Sequence, residues 1–161
     1  RPSVCIYDRM GSSFQTSRPE EYCWKEIMQG VQWFHFTGIT PALGKDLASA
    51  CLDACRAAKE AGATISCDLN YRGKLWSRED AGKAMGELCR YVDVCIGNES
   101  DAADVFGMKL RNTQVVKGQL DMDEYRKLAE MLMDRFPFRI VAMTLRGSIS
   151  ASDNDLSLIH I

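Results

Sequence analysis

Four short apolar runs, partly β-branched, recur along the chain at 33–36, 63–67, 92–96 and 139–145. Stretches with apolar residues at helical spacing separate them. Over 46–61, Leu47, Cys51, Ala54, Cys55 and Ala58 mark one face of a predicted helix, and Gly62 is placed to end it. Over 78–91 the stripe is Ala81, Ala84, Met85, Leu88 and Cys89, with Ser77 as the N-cap. A short helix over 99–106 stops at Gly107. A last one over 122–136 carries Tyr125, Leu128, Leu132, Met133 and Phe136, and Asp121 with Glu124 forms a capping-box pattern at its start. Strands alternating with helices at these spacings predict a doubly wound, mostly parallel α/β sheet flanked by helices. The opening differs. Residues 4–7 read as a strand, Gly11-Ser12-Ser13 as a turn, and no helix follows before Pro19, so residues 1–18 are expected to belong to a separate small β-sheet.

The 161 residues suffice for about one domain with its own core. Apolar residues make up 46% and charged residues 26%, which excludes a disordered or collagen-like chain. A net charge of −2 leaves no basic footprint for nucleic acid. The longest apolar runs are too short to cross a bilayer, and no charged-then-apolar leader opens the chain. The seven cysteines include no Cys-x-x-Cys pair, so they are expected to be buried, reduced thiols, as suits a cytoplasmic protein. Arg1 stands where an initiator methionine would, and we expect a piece of a longer protein.

In open α/β sheets ligands bind beyond the carboxyl ends of the strands. Those positions read Thr37-Gly38-Ile39-Thr40-Pro41, Asp68-Leu69-Asn70-Tyr71-Arg72, Gly97-Asn98-Glu99-Ser100-Asp101 and Thr144-Leu145-Arg146-Gly147-Ser148. Asp, Asn, Arg, Thr and small residues converging on one edge suit an anionic, phosphate-bearing ligand and its metal. Plainer readings stand beside this one: Asn98 as a turn or helix cap, Thr37-Gly38 as a turn, and an ion pair between Asp68 and Arg72. The alternation of Asp68, Asn70 and Arg72 places all three on one face of an extended segment. Neither common nucleotide loop, Gly-x-Gly-x-x-Gly nor Gly-x-x-x-x-Gly-Lys-Ser/Thr, is present, and there is no serine-hydrolase elbow.

On these residues the sequence resembles the ribokinase-like (pfkB) carbohydrate kinases, and among them the 2-keto-3-deoxygluconate kinase branch. The resemblance is carried by Tyr7-Asp8-Arg9, by Trp33-Phe-His-Phe-Thr-Gly-Ile-Thr-Pro41, by Asp68-Leu-Asn-Tyr-Arg-Gly-Lys-Leu-Trp76, by Ile96-Gly-Asn-Glu-Ser-Asp101 and by Thr144-Leu-Arg-Gly147. It implies ATP-dependent phosphorylation of a small sugar acid, in a cleft between the α/β domain (19–155) and a β lid (1–18). Tyr7, Arg9 and Arg72 then match substrate-contacting positions. Asn70, Arg72, Asn98, Thr144, Arg146 and Gly147 match positions at the nucleotide, the last three in a loop after the fourth strand. Asn98 and Asp101 match an Asn-x-x-Glu motif that organises Mg2+ and phosphate through water. Asp101 is one methylene shorter than that glutamate, and Glu99 is the other candidate. A homo-oligomer through the lid is also implied.

The family's catalytic base is the Asp of a Gly-Ala-Gly-Asp motif that this chain lacks, so the chain alone is expected to be inactive. Residues 156–161 break the family pattern and are expected to be a non-native tail; a short apolar terminal strand is the other reading. Two further functions stay open, another sugar kinase such as a fructokinase and a non-catalytic binding module. Reading-frame extension separates kinase from module, and a substrate panel separates the kinases.

Overall fold

The computed structural model describes residues 6–109, 122–148 and 153–161. After a turn-rich opening and a 3-10 turn at Pro19–Glu21 come α1 (Trp24–Ile27), β1 (Trp33–Thr37), α2 (Ile39–Ala42), α3 (Lys45–Glu60) and β2 (Thr64–Asp68). Then follow α4 (Arg78–Leu88), a 3-10 turn (Cys89–Tyr91), β3 (Val94–Gly97), α5 (Glu99–Phe106), α6 (Met122–Arg135), β4 (Ile140–Ser148) and β5 (Asn154–His160). The helix ends obey local chemistry. Ser77 Oγ accepts the Asp80 N–H at 3.1 Å, and Gly107 closes α5 with φ +71°, a conformation that costs glycine little. The capping pattern expected at Asp121 lies outside the described residues.

The five strands lie in the order β1-β2-β3-β4-β5; the first four are parallel and β5 returns antiparallel to β4. The expected mostly parallel α/β sheet is therefore present. Within the described residues its order runs without reversal. Right-handed crossovers in that order put every connecting helix on one face. One buried cluster accordingly joins Phe36, Ile65, Cys67, Cys95, Val141 and Met143 of the sheet to Ala54, Met85, Val105 and Leu132 of α3 to α6. The opposite face carries Trp33, His35, Ile140, Leu156 and Leu158; Leu156 is 77% and Leu158 53% exposed.

Two expectations change here. Thr144, Arg146 and Gly147 were expected in a loop after the fourth strand; they lie within β4, paired with Leu158, Leu156 and Asp155, because β5 extends the ladder to Ser148. At the other end, part of the strand expected over 4–7 lies outside the described residues, and Ile6 and Tyr7 have no regular structure. The opening segment is tied to the body by Gln15 Nε2, which donates to the Leu43 carbonyl at 3.3 Å.

Cys23, Cys51, Cys55, Cys67, Cys89 and Cys95 are free, and all but Cys23 are buried. The neighbouring Cys55 thiol, then burial, pushes the Cys51 thiol far up, and burial does the same for Cys67, Cys89 and Cys95. They act as small apolar residues. Among the described residues, no helix is long and apolar enough to cross a membrane.

Asp93 joins three strands before the site is reached. Its carboxylate accepts from Lys59 Nζ twice at 2.7 Å and from the Ile65 N–H at 2.8 Å, while its carbonyl accepts from Arg139 N at 2.7 Å. Burial alone would raise its pKa; the Lys59 and Ile65 bonds outweigh it, and the net shift is downward. A depressed carboxyl stabilises the fold above its unfolded value, about 3.9, and that contribution is lost as pH falls through the lower folded value. Asp93→Asn is expected to cost about 1–2 kcal/mol at pH 7, the partly exposed Lys59 limiting the loss. The difference from wild type, followed by urea unfolding from pH 7 to pH 2, is expected to shrink on the acid side.

Candidate functional site

The carboxyl ends of β1, β2 and β3 are stitched together by short bonds. Gly38 N donates to the Asp68 carbonyl at 2.8 Å, and Leu69 N to the Ile96 carbonyl at 2.9 Å. A Cβ on Gly38 would overlap the Leu69 carbonyl oxygen, so the close approach of β1 to β2 requires glycine there. Beyond Leu69 the chain leaves the sheet at Asn70, whose φ is +39°. Asparagine tolerates this left-handed region better than most residues. The turn ends the expected Asp68, Asn70, Arg72 alternation, so the three do not share one extended face.

Two side chains pin the turned segment. Asn70 Nδ2 donates to Thr37 Oγ1 at 3.1 Å on the β1 side. Tyr71 N donates to Asp101 Oδ1 at 2.9 Å on the β3 side. Asp101 Oδ2 also accepts the Asn98 N–H at 3.3 Å, and Asn98 Oδ1 accepts the Asp101 N–H at 2.9 Å, a reciprocal capping box at the start of α5. Thr144 Oγ1 reaches the Gly97 carbonyl at 3.3 Å, which ties in β4. The structure thus brings Asn70, Arg72, Asn98, Asp101 and Thr144 to one edge.

Burial raises the Asp68 carboxyl above the usual range, opposed by the Asn70 N–H and by the nearby charges of His35 and Arg72. Burial raises Asp101 likewise, against the Tyr71 and Asn98 N–H groups and Arg72, with Asp68 adding to the rise. Arg72 is exposed, and its bond is a long 3.4 Å one from Nη1 to the Tyr71 carbonyl. Asp68 and Arg72 form no ion pair within 4 Å. The guanidinium is therefore available to an incoming anion.

Other expected positions are arranged differently. The Arg9 guanidinium stacks over the Tyr7 ring at 4.6 Å, and neither side chain hydrogen-bonds to the strand-end residues. Glu99 lies near the Tyr125 hydroxyl, whose pKa is pushed up to about 12, first by burial and then by the Glu99 charge. Arg146 is exposed on β4. Among the described residues, no group of three acidic, His or Cys side chains is placed to hold a metal. Sequence reasoning missed two participants, the Tyr71 N–H and the Thr37 hydroxyl. The Asn98-x-x-Asp101 capping spacing was the one available signal for the first.

The fold of this α/β sheet matches that of solved ribokinase-like carbohydrate kinases. A solved 2-dehydro-3-deoxygluconokinase from Thermotoga maritima superposes with a TM-score of 0.91 at 42% identity, over 100% of this chain and 47% of that one. A PfkB family carbohydrate kinase from Listeria grayi does so with a TM-score of 0.81 at 31% identity, over 97% and 45%. A 2-dehydro-3-deoxygalactonokinase of Haloferax volcanii is 36% identical over 152 residues, 94% of this chain and 43% of the relative. No family model matches the chain. The chain is similar to PfkB carbohydrate kinases over nearly its whole length, and it spans about half the length of the relatives it matches.

Proposed function

We propose that the full-length protein phosphorylates a 2-keto-3-deoxy sugar acid, with ATP carrying its Mg2+ as the phosphoryl donor. The observation that carries this reading is the pinned segment 70–72, which presents an exposed arginine at the carboxyl ends of the sheet. A guanidinium fork suits the carboxylate that distinguishes a sugar acid from a neutral sugar. The relatives named for gluconate- and galactonate-type substrates support the same class.

In this reading Arg72 orients the sugar acid and faces the transferring phosphoryl group, and Tyr7 and Arg9 close on the substrate from the 1–18 lid. Asn70, Asn98, Thr144, Arg146 and Gly147 line the nucleotide side. The substrate hydroxyl oxygen forms a bond to the γ-phosphorus as the bond to the β,γ-bridging oxygen breaks, and the hydroxyl proton passes to a base. The Gly-Ala-Gly-Asp base lies outside this sequence. As a direct metal ligand Asp101 fits poorly, since both of its oxygens take backbone N–H groups. No step is assigned to a protein-held metal. Reduced cysteines support a cytoplasmic protein, and pairing of two copies through the lid fits the family.

Full-length protein with ATP and Mg2+ is expected to turn over 2-keto-3-deoxygluconate or its galacto epimer in preference to fructose, measured by coupled ADP release. The 161-residue chain alone is expected to show no turnover. Preference for fructose would remove the role given to Arg72.

A further inference from the structure

We propose that Asp101 is a positioning residue, holding Tyr71 and Asn98 by their backbone N–H groups to set the reach of Arg72, instead of serving magnesium. The proposal rests on the sugar-acid kinase reading above. Asp101 is 7% exposed, one of few buried polar side chains among the described residues. Its two oxygens serve two different segments: Oδ1 takes the Tyr71 N–H at 2.9 Å and Oδ2 the Asn98 N–H at 3.3 Å. The first is on the loop that carries Arg72; the second is on the turn that opens α5.

The loop is held at two points. Thr37 pins Asn70 from the β1 side and Asp101 pins Tyr71 from the β3 side, with the left-handed Asn70 between β2 and the pinned stretch. Arg72 is the next residue, and Arg72 Nη1 donates back to the Tyr71 carbonyl. Because the peptide between Tyr71 and Arg72 is planar, fixing the Tyr71 N–H leaves only φ and ψ of Tyr71 between the anchor and the Arg72 Cα, so the anchor sets the point from which the Arg72 side chain reaches.

Side-chain length gives the second line of argument. A carboxylate at this helix position must reach back to the Asn98 N–H and across to the Tyr71 N–H at once. Glutamate would carry it about 1.5 Å further along the side chain, one C–C bond, into space that a buried residue does not have. An asparagine in its place presents an N–H2 to one of the two donors, so one bond is lost even though the shape is kept. The aspartate that departs from the family pattern is thus the residue this geometry needs.

Asp101→Asn and Asp101→Glu in the full-length enzyme test the idea. In both, the KM for the sugar acid is expected to rise about tenfold or more, as for loss of a bond to a charged acceptor. The Mg2+ dependence is expected to stay within about twofold. Wild-type or better activity of Asp101→Glu overturns the proposal, and so does a Mg2+ dependence that shifts as much as the sugar-acid KM. A readout free of activity is the Tyr71 amide, followed by hydrogen exchange in the wild type. Slow exchange is expected; exchange at the rate of an open loop overturns the proposal, even where neither variant folds. If the wild type fails to phosphorylate any sugar acid, the kinase reading falls, while the Tyr71 amide still tests the anchor.

Discussion

Replacing Gly38 with alanine is expected to destabilise the protein by about 3 kcal/mol, the upper range for a side chain forced into filled space. Gly38 has φ −59° and ψ −8°, which any residue adopts, so backbone freedom is not the reason. The obstruction is the Leu69 carbonyl oxygen, which occupies the place of the new methyl group. That carbonyl cannot move aside cheaply. Its residue is 1% exposed, and the strands on either side are tied by the Gly38 N to Asp68 and Leu69 N to Ile96 bonds. Relief requires β1 and β2 to part at the edge where Asn70 and Thr37 meet. Urea unfolding measures the loss, with a midpoint shift of about 1–2 M. Two glycines of α4 provide the comparison. At Gly86 a methyl group meets nothing within 4 Å, and alanine there is expected to add about 0.5–1 kcal/mol as a better helix former. At Gly82 it meets the Val105 carbonyl at 2.9 Å, and the expected effect lies between the other two. Equal stability of the Gly38 and Gly86 variants would remove the close approach as the reason for Gly38.

Arg72→Gln in the full-length enzyme is expected to lower kcat/KM for the sugar acid about 100-fold, mainly through KM. This corresponds to about 2.7 kcal/mol, within the range for truncating one partner of a desolvated charge pair. Arg72→Lys keeps the charge and loses the fork, so it is expected to recover only part of the loss. The fold is not expected to suffer, because Arg72 is exposed and its bond to the Tyr71 carbonyl is long. A KM for the sugar acid within twofold of wild type would assign the substrate carboxylate to another residue. Steady-state kinetics with the sugar acid and with a neutral hexose separate the two cases, since only the first presents a carboxylate.

Local chemistry by itself determined the four longer helices and the four parallel strands. Apolar spacing placed α3, α4, α5 and α6 to within a few residues, because each buries one stripe against the sheet and ends at a residue suited to ending it, such as Gly62 or Gly107. The edge that bears the site was equally legible, since polar residues gather at the carboxyl ends of the strands whatever the ligand. The extent of β4 was not, because its last residues are strand only through pairing with β5. The roles within the edge also escaped sequence reasoning. Asp68, Asn70 and Arg72 alternate on paper, but the left-handed turn at Asn70 and the anchors on Thr37 and Asp101 redirect them. Residues 37, 70 and 101 meet only once the parallel strands set their carboxyl ends side by side. Bonds between such distant positions depend on that register, and no local pattern encodes it.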